Sequence, residues 1–289
     1  MKALRVTAIT ASTAGAVALF LLVAQPGRLA AALQTLPVSS LLAAAGATMA
    51  GVMLGASRWH GLLAARGTVA STPRLFAALT AGAAVNNLVP ARGGDAVRVE
   101  AAHRLTGAGR LEIAGTMVAE RILDGFVLAL LLAAGALLSG AGGRFVWIGA
   151  GLAGAIVAAA ALLGRRWLPS RDVIGVALLT TGGIWLADVV MYGALARGFH
   201  LDVSAGALLL LVGAGNLALA VPFTAAGLGS FELVTLAGAH GIGLGGPELA
   251  AFVLAVHAVI VLPTTVTGLL LAPVSARSPQ IKPRFPARG

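Results

Sequence analysis

The chain has 289 residues, of which 58 % are hydrophobic and 10 % charged, and its formal net charge is +10. Soluble domains carry about 25 % charged residues, so this composition excludes a soluble protein and leaves no room for a soluble catalytic domain within these residues. The absence of cysteine excludes disulfides, thiolate metal sites and cysteine nucleophiles. The basic residues lie between apolar runs, which indicates membrane topology and contact with anionic lipids rather than nucleic-acid binding.

Six apolar stretches are long enough to cross a bilayer, since about 20 helical residues cover about 30 Å of hydrocarbon. They are residues 6–24, 38–56, 112–138, 145–164, 172–196 and 248–272. The first resembles a signal peptide, but no clean small-x-small cleavage site follows its long apolar core, so we interpret it as a span. We therefore expect an all-α polytopic membrane protein. Residues 1–273 would form a single transmembrane domain, and residues 274–289 a disordered basic tail in the cytoplasm.

Two further apolar stretches fit a simple span poorly. Residues 75–89 are too short to cross the hydrocarbon core. Residues 205–243 are too long for one span and too short for two, and Pro222, Gly227 and Gly229 interrupt them. Irregular backbone at membrane depth must be buried in protein or line a watery cavity. We therefore predict two re-entrant helical hairpins that meet at a polar cavity.

The distribution of arginines supports the first hairpin. Four basic residues follow the first short stretch: Arg92, Arg98, Arg104 and Arg110. They remain cytoplasmic, as the positive-inside rule favours, only if residues 75–98 enter the membrane and return. The same counting assigns Arg58 to a cytoplasmic loop, makes residues 205–243 a hairpin from the outer face, and places both termini in the cytoplasm. The expected location is the cell membrane, with several passes.

The tips of the two hairpins share an order of residue types, namely asparagine, Val-Pro, a glycine pair and a carboxylate. The residues concerned are Asn87, Pro90, Gly93, Gly94 and Asp95 in the first tip, and Asn216, Pro222, Gly227, Gly229 and Glu232 in the second. Broken helices at corresponding positions of two halves are typical of inverted repeats. We therefore predict an inverted repeat whose helix N-termini point at an anionic group.

Three charged residues fall inside one predicted span. Glu120 and Asp124 are spaced i, i+4 and share a helix face, and Arg121 is placed to pair with Asp124. Charges at this depth are costly and must face the protein interior. Two interpretations stay open: a structural salt bridge, or a cavity wall that pairs with Arg92 or Arg98 or binds a headgroup.

Several other residues are assigned structural roles. Asp188 and His257 are each expected to be buried hydrogen-bonding residues, although a proton relay through His257 stays open. The spacing of Gly51 and Gly55 predicts close helix packing, within the fold or in a homodimer. The motifs of nucleotide sites, zinc proteases and serine hydrolases are not supported, so we expect no cofactor, no metal and no catalytic residue.

Three segments carry a resemblance to a known family. They are NNLVPARGGDAVR at residues 86–98, AERILDGFVLALLL at residues 119–132 and VPFTAAGLGSFELV at residues 221–234. In this order they resemble the signatures of the lysylphosphatidylglycerol synthase transmembrane family, also called the flippase-like or UPF0104 family. The resemblance covers residues 5–273. Asp95 stands where that family usually has Glu, and Ala226 interrupts its usual Gly-Gly pair.

The resemblance implies a membrane domain that moves a lipid headgroup between leaflets. The expected function is a flippase or transporter for an anionic phospholipid or a polyprenyl-linked glycolipid, and its partners are membrane lipids. The residues expected to bind the headgroup are Asn87, Arg92, Asp95, Arg98, Glu120, Arg121, Asp124 and Glu232. The residues expected to interrupt the helices at the hairpin tips are Pro90, Gly93, Gly94, Pro222, Gly227 and Gly229. The alternative is a membrane-embedded transferase for a lipid-linked substrate, with Asp95 or Glu120 as general base.

Overall fold

The computed structural model describes residues 2–89, 93–140, 143–163, 170–220, 224–246 and 248–276. Within these ranges all regular elements are helical. They are α1 (Lys2–Ala24), α2 (Pro26–Gln34), α3 (Val38–Ala64), α4 (Thr72–Leu88), α5 (Gly94–Thr106), α6 (Arg110–Ser139), α7 (Gly143–Leu163), α8 (Arg171–Gly198), α9 (Ala205–Ala220), a 3-10 turn (Ala225–Gly227), α10 (Ser230–Gly241) and α11 (Glu248–Ala276). The prediction of an all-α polytopic membrane protein is confirmed.

The described helices include four that are long and apolar enough to cross a membrane on their own. They lie within α3, α6, α8 and α11. The predicted first span is a helix, but it counts as a further span only together with α2, from which it is bent by 75° at Gln25. The predicted span at 145–164 is the helix α7, of which the apolar described part is only Val146–Ile156. By length and composition the described residues thus hold four or five candidate spans, and the expected count of six stays a prediction.

Helix α3 extends eight residues beyond the predicted end of its span, and this overturns one assignment. Arg58 was expected in a cytoplasmic loop, but it lies inside α3 and is only 7 % exposed. Trp59, Leu62 and Leu63 are buried beside it. Apolar packing of this last part of α3 continues the helix past the point where hydropathy alone would end it.

Both predicted hairpins appear as pairs of short helices on either side of an irregular tip. Helices α4 and α5 pack against each other, and so do α9 and α10. The approach of α5 to α4 requires glycine, because a Cβ on Gly94 would overlap the carbonyl oxygen of Gly82. Pro90 and Arg92 in the first tip and Pro222 in the second lie outside the described residues. Whether the pairs are re-entrant in a bilayer stays a prediction.

The helices pack in a pattern that relates the two halves of the chain. Helix α3 runs along α8, α4 runs along α11, and α9 runs along α6. Gly51 and Gly55 of α3 face α8, where a Cβ on Gly51 would lie 3.5 Å from the Cβ of Ala187. The glycine spacing therefore serves helix packing within the fold. The space between these helices and the two tips holds the candidate site.

Candidate functional site

A cavity of about 600 Å³ lies where the two tips meet the long helices. Its wall includes Asn86, Asn87 and Asp95 of the first hairpin and Asn216, Thr224 and Gly227 of the second. The remaining wall comes from α1, α3, α6, α8 and α11. Two arginines and three aspartates line it: Arg58, Arg121, Asp95, Asp124 and Asp188. A chain with few charges thus places five of them around one cavity.

Arg58 is held on the cavity wall by a forked interaction with Asp124. Its Nη1 donates to Asp124 Oδ1, and its Nη2 donates to Oδ2 at 3.1 Å. Nη1 also donates to the hydroxyl of Thr181 at 2.8 Å. Parallel N–H to oxygen bonds of this kind fix both position and orientation. Helices α3, α6 and α8 are therefore joined at one charged point.

Glu120 continues the network away from the cavity. One of its oxygens lies 3.7 Å from Arg58 Nη2, and the other accepts from Arg98 Nη2 at 2.7 Å. The guanidinium of Arg98 also lies over the ring of Trp59, with its central carbon 4.4 Å from the ring centroid. Trp59 is fixed in turn by an indole N–H bond to Thr116. Glu120 and Arg98 are 4 % and 7 % exposed, so this pair is buried.

Arg121 and Asp95 form the accessible part of the charge arrangement. Their nearest charged atoms are 3.5 Å apart, and the two side chains are 64 % and 45 % exposed. Asp95 is in the first turn of α5, and Arg121 projects from α6. The pair lines both the cavity and a second groove of about 620 Å³ between α5 and α6. The predicted pairing of Arg121 with Asp124 is absent, since Asp124 binds Arg58.

Two adjacent asparagines anchor the end of α4. The side-chain oxygen of Asn86 accepts from the backbone N–H of Gly94 at 2.8 Å, which satisfies one free donor at the start of α5. The Asn87 amide donates to the hydroxyl of Thr265 in α11 at 2.9 Å. Both asparagines line the cavity. They fix the first tip to its own second helix and to the opposite half of the chain.

The second tip is held by a buried pair, Glu232 and His257. Glu232 Oε2 accepts from the backbone N–H of Gly229 at 2.7 Å, and Oε1 lies 2.6 Å from His257 Nδ1. His257 Nε2 lies 3.0 Å from the carbonyl oxygen of Ala226. Ala226 has a left-handed φ of 52°, which is uncommon for a residue other than glycine. Glu232 is 1 % exposed and supports the tip from behind the cavity wall.

The predicted site residues fall into three groups. Asn87, Asp95, Arg121, Asp124 and Gly227 line the cavity. Arg98, Glu120, Glu232, Gly93, Gly94 and Gly229 are not among its lining residues, and Arg92 lies outside the described residues. Sequence reasoning missed Arg58 and the contact between Glu232 and His257. The signal for Arg58 was weak, because residues 48, 51, 55 and 58 share one helix face but the apolar stretch that predicts the helix ends before residue 58.

Within the described ranges, no group of three or more His, Asp or Glu side chains could hold a metal ion. Glu120, one of the two proposed bases, has both oxygens directed at arginines.

Comparison with known proteins supplies the identity of the fold. No curated protein matches the chain. The lysylphosphatidylglycerol synthase TM region matches it over residues 5–174 and 164–268. These segments include both hairpins, all of α6 and His257 of α11. The chain therefore belongs to the family of lysylphosphatidylglycerol synthase transmembrane regions.

Proposed function

We propose that this membrane protein is a flippase or transporter that moves an anionic lipid headgroup between leaflets through the cavity. The observation that carries the proposal is the cavity itself, a space inside an apolar helical bundle that has five charged side chains and residues of both hairpins in its wall. Arg121 and Arg58 would contact the phosphate of the lipid as charge-assisted donors. Asp95 and Asp124 would hold these arginines when the cavity is empty.

The surroundings of Arg121 support a lateral route for the lipid. The groove between α5 and α6 is lined by apolar residues that include Val99, Met117 and Val118 and by two charged pairs, Asp95 with Arg121 and Glu100 with Arg110. The pair of Asp95 and Arg121 also forms part of the cavity wall. A headgroup could thus exchange with the Asp95 carboxylate at Arg121 and enter, while its chains stay in the groove and the surrounding lipid.

The helix packing supports an inverted repeat of α3–α6 and α8–α11. If the two sets are exchanged helix by helix, the contact between α4 and α11 corresponds to the contact between α9 and α6. The contact between α3 and α8 corresponds to itself. In such repeats, rocking of one half against the other exposes a central site to each side in turn. Within the proposal, both hairpins are re-entrant, both termini are cytoplasmic, and the protein resides in the cell membrane.

A reconstitution experiment tests the proposal. The full chain is purified and reconstituted into liposomes that contain a fluorescent phosphatidylglycerol. Movement of this lipid between leaflets is followed by quenching the fluorescence of the molecules in the outer leaflet. We expect faster exchange than in protein-free liposomes, and a rate at least fivefold lower for Arg121→Gln. Arg197→Gln is the matched control, because Arg197 is exposed at the end of α8 and does not line the cavity.

Two results would contradict this function. Equal exchange rates in liposomes with and without the protein would remove the basis for transport of this lipid class. A change in the mass of the lipid after incubation would instead favour the transferase. Mass spectrometry of the recovered lipid separates the two functions in the same sample.

A further inference from the structure

One wall of the cavity has polar groups that do not bind Arg58, Arg98 or Arg121. Trp185 and Asp188 of α8 line the cavity together with Asn216 of α9. The Asn216 amide donates to Asp188 Oδ2 at 3.4 Å and to the Val212 carbonyl at 3.0 Å. The first of these bonds is long, and it is the one hydrogen bond of the Asp188 carboxyl group within the described residues.

Unpaired donors accompany this carboxyl group. Trp185 is 7 % exposed and Tyr192 is fully buried, yet neither the indole N–H nor the phenol hydroxyl has a hydrogen-bond partner in the described part of the chain. Residues 185, 188 and 192 share one face of α8, because their spacing is i, i+3 and i+7. Leaving such groups unpaired in a protein interior is costly, and Trp185 is itself part of the cavity wall.

The ligand that satisfies this wall must both donate and accept hydrogen bonds. An ammonium group could donate to Asp188, but it has nothing to accept the indole N–H bond. A phosphate could accept that bond, but it would be repelled by the carboxylate. A hydroxyl group does both, and a pair of hydroxyls on neighbouring carbons can engage Asp188 and Trp185 together.

We propose that Asp188, Trp185 and Asn216 form a subsite for the hydroxyl groups of the transported headgroup. This inference rests on the proposed function and extends it, because Arg58 and Arg121 on the remaining wall would hold the phosphate. The cavity would then select a phosphate that carries a hydroxyl-rich group. That chemistry is shared by glycerol phospholipids and by sugar-phosphate lipids.

Matched lipids test the subsite with the wild-type chain. The purified protein in detergent is titrated with phosphatidylglycerol and with phosphatidylpropanol, which has the same charge and carbon count in its headgroup but no hydroxyls. A second pair, polyprenyl-phosphate glucose and polyprenyl cyclohexyl phosphate, which keeps the single charge and a six-membered ring but has no hydroxyls, covers the other source. We expect tighter binding of the hydroxylated member in at least one pair, by about threefold to tenfold for each hydrogen bond gained. The pair that shows the preference identifies the source.

Variants assign the preference to this wall. Trp185→Phe removes the N–H and keeps a ring, and Asp188→Leu removes both carboxyl oxygens at similar size. Each should reduce the binding ratio of the preferred pair toward one. Trp147→Phe is the control, because Trp147 is 77 % exposed on α7, and it should keep the wild-type ratio.

The outcomes separate this inference from the proposed function. Equal binding within both pairs by the wild-type chain would overturn the hydroxyl subsite and leave a phosphate site intact. Tighter binding of phosphatidylethanolamine than of phosphatidylglycerol would also overturn it, in favour of a site for ammonium. No binding of any of these lipids would count against the proposed function as well.

Discussion

The contact of Arg58 with Asp124 leads to a prediction about stability that needs no knowledge of the substrate. In Arg58→Met the apolar volume is largely retained, but Asp124 loses both of its charged hydrogen bonds. Breaking one partner of a buried pair costs about 3–5 kcal/mol because the other charge is left uncompensated. The Asp124 side chain is 28 % exposed, so water reduces the penalty and we expect the lower end, about 3 kcal/mol.

A double variant separates the effect of the unpaired Asp124 charge on stability from the effect of lost packing. In Arg58→Met with Asp124→Leu no charge is left unpaired at this point, because Glu120 still has Arg98. Thr181 also keeps its own bond to Ala177. The double variant should recover most of the loss, since replacing a buried ion pair by apolar groups is often neutral.

The assay is thermal unfolding in detergent, followed by intrinsic fluorescence and by retention of the monodisperse peak. For a chain of this size, 1 kcal/mol corresponds to about 2–4 °C in Tm, so the single variant should melt about 6–12 °C below wild type. The double variant should melt closer to wild type, and the surface control Arg197→Met should not shift. The reasoning would be refuted if Arg58→Met had the wild-type Tm, or if the double variant had a Tm no higher than that of Arg58→Met.

Three further predictions concern the tips. Ala226→Gly should raise the Tm by up to about 3 °C, because glycine removes a left-handed strain of about 1 kcal/mol; a lower Tm would contradict this. Gly94→Ala should fail to give a monodisperse protein, since the Cβ meets α4, whereas Gly61→Ala, which has no atom within 4 Å, should behave as wild type. His257→Leu should lower the Tm by at least about 3 °C, because Glu232 loses its side-chain partner. A variant that elutes and melts like wild type would contradict this.

The sequence was sufficient for the fold class and for the positions of the broken helices. Spans were identified from apolar length, and the tips from proline and glycine where charged and amide residues interrupt the apolar pattern. Both signals are local, so a single chain is enough to read them. The end of α3 was not predictable in the same way, because tertiary packing of Trp59 and Leu63 carries the helix beyond its apolar stretch.

Pairing between side chains could be anticipated only where few partners existed. Glu120 had two arginines proposed as partners, and one of them, Arg98, is its partner in the structure. Arg121 was matched with Asp124 because the spacing within one helix permits it. The structure brings Arg58 from a different helix to Asp124 with better geometry, and such long-range competition leaves no mark in local spacing.

Under the proposed function, the arrangement would let a chain with so few charges keep an anion-binding surface inside a membrane. A free arginine at this depth would be costly, so each arginine on the described cavity wall has a carboxylate partner. The two pairs differ in strength, because Arg58 is buried and forked whereas the Arg121 contact is longer and exposed. An arriving phosphate would therefore displace Asp95 from Arg121 more easily than Asp124 from Arg58. Arg121 would act first, at the entrance, and Arg58 would fix the end point of the headgroup's movement.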